Sequence, residues 1–149
     1  MLAYLCVCGR PVKKEKAAEV LWQDSSPENA RDSLYKICHY IRRLQKQGID
    51  IPLKDYRTEL YLDLSEVDCD IREFKELYTY GTEPWHWEQA ASLYTGPILF
   101  DNYYELTGEE EAYYDVRYYE LVERLTAHYR QKGREDIAAF YDNKIREFQ

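Results

Sequence analysis

The segment SPENARDSLYKICHYIRRLQKQG, residues 26–48, reads as one long helix with both of its ends marked. Asp24, Ser25 and Ser26 offer side-chain oxygens to the unpaired amides of a first turn, and the fixed φ of Pro27 suits the position just inside it. Gly48 can take the left-handed conformation that closes a helix. Between these ends Leu34, Ile37, Cys38, Ile41 and Leu44 recur at steps of three and four, so they share one apolar stripe. The opposite side holds His39, Arg43 and Lys46, flanked by Tyr35, Lys36 and Arg42, and no acid follows Asp32 until Asp50. A solvated helix usually carries acids four residues from its bases, which offsets their mutual repulsion. Here the repulsion is left standing, as a phosphate-binding surface requires. The competing reading is a solvated face that happens to be basic.

The residues that follow alternate. Ile51, Leu53, Leu60, Leu62 and Leu64 are spaced by polar positions on either side of Asp55-Tyr56-Arg57-Thr58-Glu59, which predicts a β-hairpin over 51–64 whose tip exposes Lys54 and Arg57. Upstream, a first helix runs to about Cys8 and stops at Gly9. A second starts after Pro11-Val12 and places Ala17, Ala18, Leu21 and Trp22 on one side. The apolar run Leu2–Val7 looks like the end of a core helix opened by truncation. Two helices, a long capped helix and a hairpin form the order of a winged helix-turn-helix. There the long helix, 26–47, enters a DNA major groove while the wing, 51–64, braces on the backbone beside it.

Composition permits this despite a net charge of -8. Residues 1–66 hold 11 Lys and Arg against 10 Asp and Glu, whereas residues 67–149 hold 9 against 18. The acidity belongs to the second part, and local field governs contact with phosphate more than net charge does. With 149 residues, 45% of them hydrophobic, the chain can bury a real core in one domain or two small ones. Cys6, Cys8, Cys38 and Cys69 form no C-x-x-C pair and read as reduced, mostly buried thiols. With no signal peptide and no apolar run near the length of a membrane span, the chain reads as cytoplasmic, without a membrane partner.

After an acidic junction at Glu66, Asp68 and Asp70 the pattern is entirely helical. Ile71, Phe74, Leu77 and Tyr78 mark a helix closed by Gly81, and Trp85, Ala90, Ala91, Leu93 and Tyr94 mark another, broken by Gly96-Pro97. The apolar segment Ile98-Leu99-Phe100 is irregular. A long helix from about Gly108 to Lys132 carries Tyr114, Tyr118, Leu121, Leu125 and His128 or Tyr129. Gly133 ends it, and a last helix holds Ile137, Phe140, Tyr141, Ile145 and Phe148. Two helices joined by so tight a turn form a tetratricopeptide-like (TPR-like) hairpin. Tyr103, Tyr104, Tyr113, Tyr114, Tyr118 and Tyr119 crowd this region. Such rings can line a contact groove, but more often they pack helices.

No phosphate loop, nucleophile elbow or H-E-x-x-H pair is present, and the three histidines are isolated. His86, between Trp85 and Trp87, reads as a partly packed ring. Glu109, Glu110 and Glu111 at a helix start complement its dipole. No catalytic residue, metal or cofactor is expected, and the chain reads as a non-enzyme.

Gly9-Arg10-Pro11-Val12, Ala18-Glu19-Val20-Leu21-Trp22, Ala30-Arg31-Asp32-Ser33-Leu34 and Ile41-Arg42-Arg43-Leu44 together resemble the OmpR-type winged helix of SARP-type regulators. Val67-Asp68-Cys69-Asp70-Ile71-Arg72-Glu73-Phe74, with Leu93-Tyr94-Thr95-Gly96-Pro97-Ile98-Leu99, resembles the bacterial transcriptional activator domain that follows it in that family. The resemblance implies a mainly α chain in two domains. Residues 1–66 would be a truncated winged helix-turn-helix without its N-terminal strands, and residues 67–149 a TPR-like helical module. It also implies a bacterial transcription regulator, often the output part of a two-component response regulator with a receiver domain in a longer protein. Such a protein binds promoter double-stranded DNA, contacts RNA polymerase and leaves a homodimer open. Ser33, Lys36, His39, Tyr40, Arg42, Arg43 and Lys46 would then face DNA, with Arg57 on the wing. Lys13, where the family commonly has a Ser, loses a helix cap but adds a phosphate contact. The alternative is a protein-interaction adaptor, in which the helical part does the work and the winged helix does not bind DNA.

Overall fold

A computed structural model describes residues 1–98 and 108–147. Leu99, Phe100, Tyr103, Tyr104 and Phe148 lie outside these residues, as do the side chains of Glu109, Glu110 and Glu111. The described chain is mainly helical with one small antiparallel sheet, and its described residues divide into two compact units, Met1–Asp68 and residues 69–98 with 108–147.

The first unit contains α1 (Leu2–Cys8), β1 (Val12–Lys13), α2 (Lys14–Leu21), α3 (Pro27–Lys46), β2 (Leu53–Asp55) and β3 (Glu59–Leu62). Gly9 stops α1 at φ 59, where a side chain would be strained. The α3 ends follow the capping residues, because the Asn29 amide donates to Ser26 Oγ at 3.3 Å and Gly48 turns at φ 86. Ala30, Leu34, Cys38 and Ile41 are buried, while Ile37 and Leu44 are half-buried at the edge of the stripe. On α2 the buried face is Lys14, Ala17, Ala18 and Val20, with Leu21 and Trp22 only partly covered. The expected hairpin gains a third strand. β3 is central in the order β1-β3-β2, with Val12 opposite Leu60 and Leu53 opposite Leu62. Leu53, Leu60 and Leu62 are buried, as are Leu5, Leu34 and Ala17, so one face of the sheet is covered.

The hairpin tip is shorter than expected. Asp55 and Glu59 are the last and first residues of their strands, so only Tyr56, Arg57 and Thr58 turn between them, closed by the Tyr56 amide donating to the Glu59 carbonyl at 3.0 Å. Lys54 stands exposed within β2, opposite Tyr61.

The second unit contains α4 (Asp70–Tyr80), α5 (Pro84–Leu93), α6 (Gly108–Gln131) and α7 (Glu135–Glu147), each packed on the next in sequence. Its core runs along α6 through Tyr114, Tyr118, Leu121, Val122 and Leu125, joined by Phe74, Ala90 and Ala138. Gly133 turns α6 into α7 at φ 68. Gly81 does not act as a left-handed stop. Its φ is -72, and a Cβ there would lie 2.3 Å from the Leu77 carbonyl oxygen and 2.6 Å from His86 Cβ, so the residue is small because two turns of chain meet at it. Trp85 and Phe140, expected on packed faces, are more than half exposed, and Tyr94 lies just beyond the end of α5. His86 is partly packed, accepting the Glu83 amide on Nδ1 at 3.1 Å, with its ring tilted against that of Trp85.

Candidate nucleic-acid interface

Helix α3 is unbroken for its 20 residues, and its buried stripe turns the other side outward. At 100° per residue Lys36, His39, Tyr40, Arg43 and Lys46 share that outer side, and all five are exposed. Asp32 is exposed there too, one turn before Lys36, so the cationic stripe begins after an acid and not at the helix N-terminus. The Arg43 guanidinium lies 5.2 Å from the centroid of the Tyr40 ring. That contact contributes roughly 0.5–1 kcal/mol at an exposed site and orients the cation without neutralising it.

The remaining candidates are distributed differently. Arg57 is exposed at the hairpin tip and Lys13 is exposed in β1, where it also precedes α2 without a side-chain cap bond. Ser33 is half-buried on the edge between the two faces of α3. Tyr35 and Arg42 turn toward the hairpin. Lys14 Nζ sits 5.4 Å from the Tyr35 ring centroid and 2.6 Å from Asp55 Oδ1, and Arg42 Nε is 2.9 Å from Asp55 Oδ2. The Arg42 N–H is turned off the line to Oδ2, so charge rather than a directed hydrogen bond joins the two. Arg42 is thus paired within the fold, with about half of its side chain still exposed.

Sequence reasoning missed the centre of this cluster. The side chains of Lys14 and Asp55 are 9% and 8% exposed, so each charge needs the other. The signal was present, because Lys14 shares a face with Ala17, Ala18 and Leu21, and Asp55 has the parity of Leu53 in the alternating strand. A cation and an acid that both point inward have to meet. Cys38 lies at the edge of the cluster, and burial, then the Asp55 carboxylate, push its thiol pKa up. Only Cys38 of the four cysteines is fully buried, and none forms a disulfide.

In the second unit Tyr114 and Tyr118 are packing residues, and Tyr113 and Tyr119 are half-buried. A cleft of about 300 Å³ is lined by Phe74, Leu93, Tyr94, Pro97, Ile98 and Tyr114. Tyr80, the last residue of α4, and Trp85, in the first turn of α5, are 80% and 56% exposed. Among the described residues no three His, Cys, Asp or Glu side chains converge as metal ligands, and no helix is long and apolar enough to cross a membrane.

Comparison with protein-family models, with curated proteins and with solved structures finds no match to this chain.

Proposed function

We propose that this chain is a DNA-binding transcriptional regulator of the SARP type, with α3 as its recognition helix. The observation that carries the reading is the outer side of α3. Lys36, His39, Arg43 and Lys46 stand exposed on one helix that has no acid from residue 33 to residue 49. The order of α1, β1, α2, α3 and the hairpin supports a winged helix-turn-helix, in which α3 lies in the major groove and Arg57 and Lys54 reach the adjacent backbone. The α6–α7 hairpin supports a TPR-like module in the second unit, the part that contacts RNA polymerase in this reading.

Titration of labelled duplex DNA at several salt concentrations tests the reading. Binding should weaken steeply with salt, because each neutralised phosphate releases counterions. Arg43→Ala should lower the slope of log affinity against log salt by about one if it meets a phosphate, or relax base preference if it meets a guanine edge. Absence of any salt-dependent complex overturns the reading. The adaptor alternative is favoured by a different observation, the exposed Tyr80 and Trp85 in the acidic half, and it requires that outcome.

A further inference from the structure

Two residues one turn apart on α3 hold three alternate positions of the hairpin. Gln45 Nε2 donates to the Ile51 carbonyl at 2.7 Å and to the Leu53 carbonyl at 3.0 Å, and Arg42 pairs with Asp55 at 2.9 Å. The Leu53 amide donates to the Ile51 carbonyl at 2.8 Å, a tight turn that leads into β2 and leaves both carbonyls within reach of Gln45, while residues 42 and 45 share one flank of a helix, so Arg42 meets the Asp55 side chain on the same side. The far end is tied as well, since Lys14 pairs with the same Asp55 carboxylate and its amide donates to the Thr58 carbonyl at 2.9 Å.

From this geometry we infer that Arg42 and Gln45 are positioning residues. They fix the hairpin against α3, so that Arg57 and the outer stripe meet DNA as one preset surface, and Arg42 itself is not a phosphate contact. The inference rests on the DNA-binding reading for its consequence, but the clamp has a readout of its own. An arginine drawn off to a phosphate would leave Asp55, buried on both flanks, with Lys14 as its one remaining cation. An element ordered before binding costs less to order on binding, so a clamped hairpin favours the complex without touching DNA.

Arg42→Met keeps the apolar stem and removes the charge. In the unbound protein, amide exchange across residues 53–62 should quicken by about tenfold while the buried turns of α3 stay unchanged, as local opening without global unfolding requires. On duplex DNA, affinity should fall by roughly three- to tenfold with the salt slope unchanged. Arg57→Ala should add little in this background, since coupled residues are non-additive. A slope lowered by about one together with unaltered hairpin exchange would make Arg42 a phosphate contact and overturn the inference. If Arg42→Met fails to fold, Gln45→Met carries the test. It removes two hydrogen bonds and no charge, and unaltered hairpin exchange there overturns the clamp equally. If the wild-type chain never binds DNA while Arg42→Met still loosens the hairpin, the DNA reading falls and the clamp stands.

Discussion

In the first unit charge is sorted, and in the second it is mixed. Around α3 one acid, Asp55, is drawn inside between Lys14 and Arg42, and the outer cations Lys36, Arg43 and Lys46 face solvent. Residues 67–149 have twice as many acids as bases, and several acids of the second unit receive tyrosine hydroxyls from other helical segments. Tyr78 donates to Glu120, Tyr129 to Glu88, and Tyr94 to Asp115 at 2.6 Å. Arg117 completes one of these pairs, lying 2.8 Å from Glu120 and 5.1 Å from the Tyr78 ring centroid. The same residue types therefore serve two ends. Sorting leaves the outer stripe of α3 beyond Asp32 with one sign of charge, whereas mixing ties helices together.

The comparison can be broken at its strongest point by removing one charge from each unit. Lys14→Met leaves Asp55 buried beside the half-exposed Arg42, and should cost about 3–5 kcal/mol in denaturant-induced unfolding. Arg117→Met strips a charge from a network about one-third exposed and should cost several times less. Equal effects would mean that charge is organised alike in both units. Leu121→Ala, in the wholly buried centre of α6, should cost roughly 2–5 kcal/mol, which measures how much of the second unit rests on apolar packing rather than on its tyrosine ties. Smaller effects sharpen the contrast. Tyr94→Phe keeps the ring stacked 4.1 Å from Tyr118 and deletes only the hydroxyl, so its cost should be about 1 kcal/mol. A change several times larger would show that the hydroxyl, not the ring, holds that contact.

Alkaline titration gives the smallest and most local effect. Burial pushes Tyr141 up to about 12, and burial followed by the Asp115 hydrogen bond pushes Tyr94 in the same direction. A raised folded value means that the fold favours the protonated phenol. That stability is complete below the ordinary tyrosine value near 10, and it is lost as pH rises through the folded values. In Trp22→Phe the remaining tryptophans, Trp85 and Trp87, both report on the second unit. Their fluorescence should stay constant to about pH 10 and change between there and about 12. A change complete at lower pH would show that these phenols are not held protonated.

Much of the first unit was legible because its signals are local. The Ser26-Pro27 start, the apolar steps from Leu34 to Leu44, the Gly48 end and the alternation of Leu60 and Leu62 each lie within one element, and the structure keeps all of them. β1 was not legible, because two residues are too few for any period and Val12–Lys13 is a strand only by pairing with Leu60 and Glu59. The tip was drawn too wide for a related reason. Asp55 is polar and reads as turn, yet its carboxylate belongs to an ion pair with residues 14 and 42.

By itself, then, the sequence determined where helices start and stop, which of their sides are apolar, and that α3 carries cations without compensating acids. Those properties follow from backbone geometry and from neighbours within one or two turns. Tertiary structure alone decided which of those cations stay available. Arg42 and Arg43 are adjacent in the chain and identical in chemistry, but one step around the helix turns Arg42 toward a buried carboxylate and Arg43 toward solvent and the Tyr40 ring. That assignment depends on what a strand more than ten residues away places beside the helix.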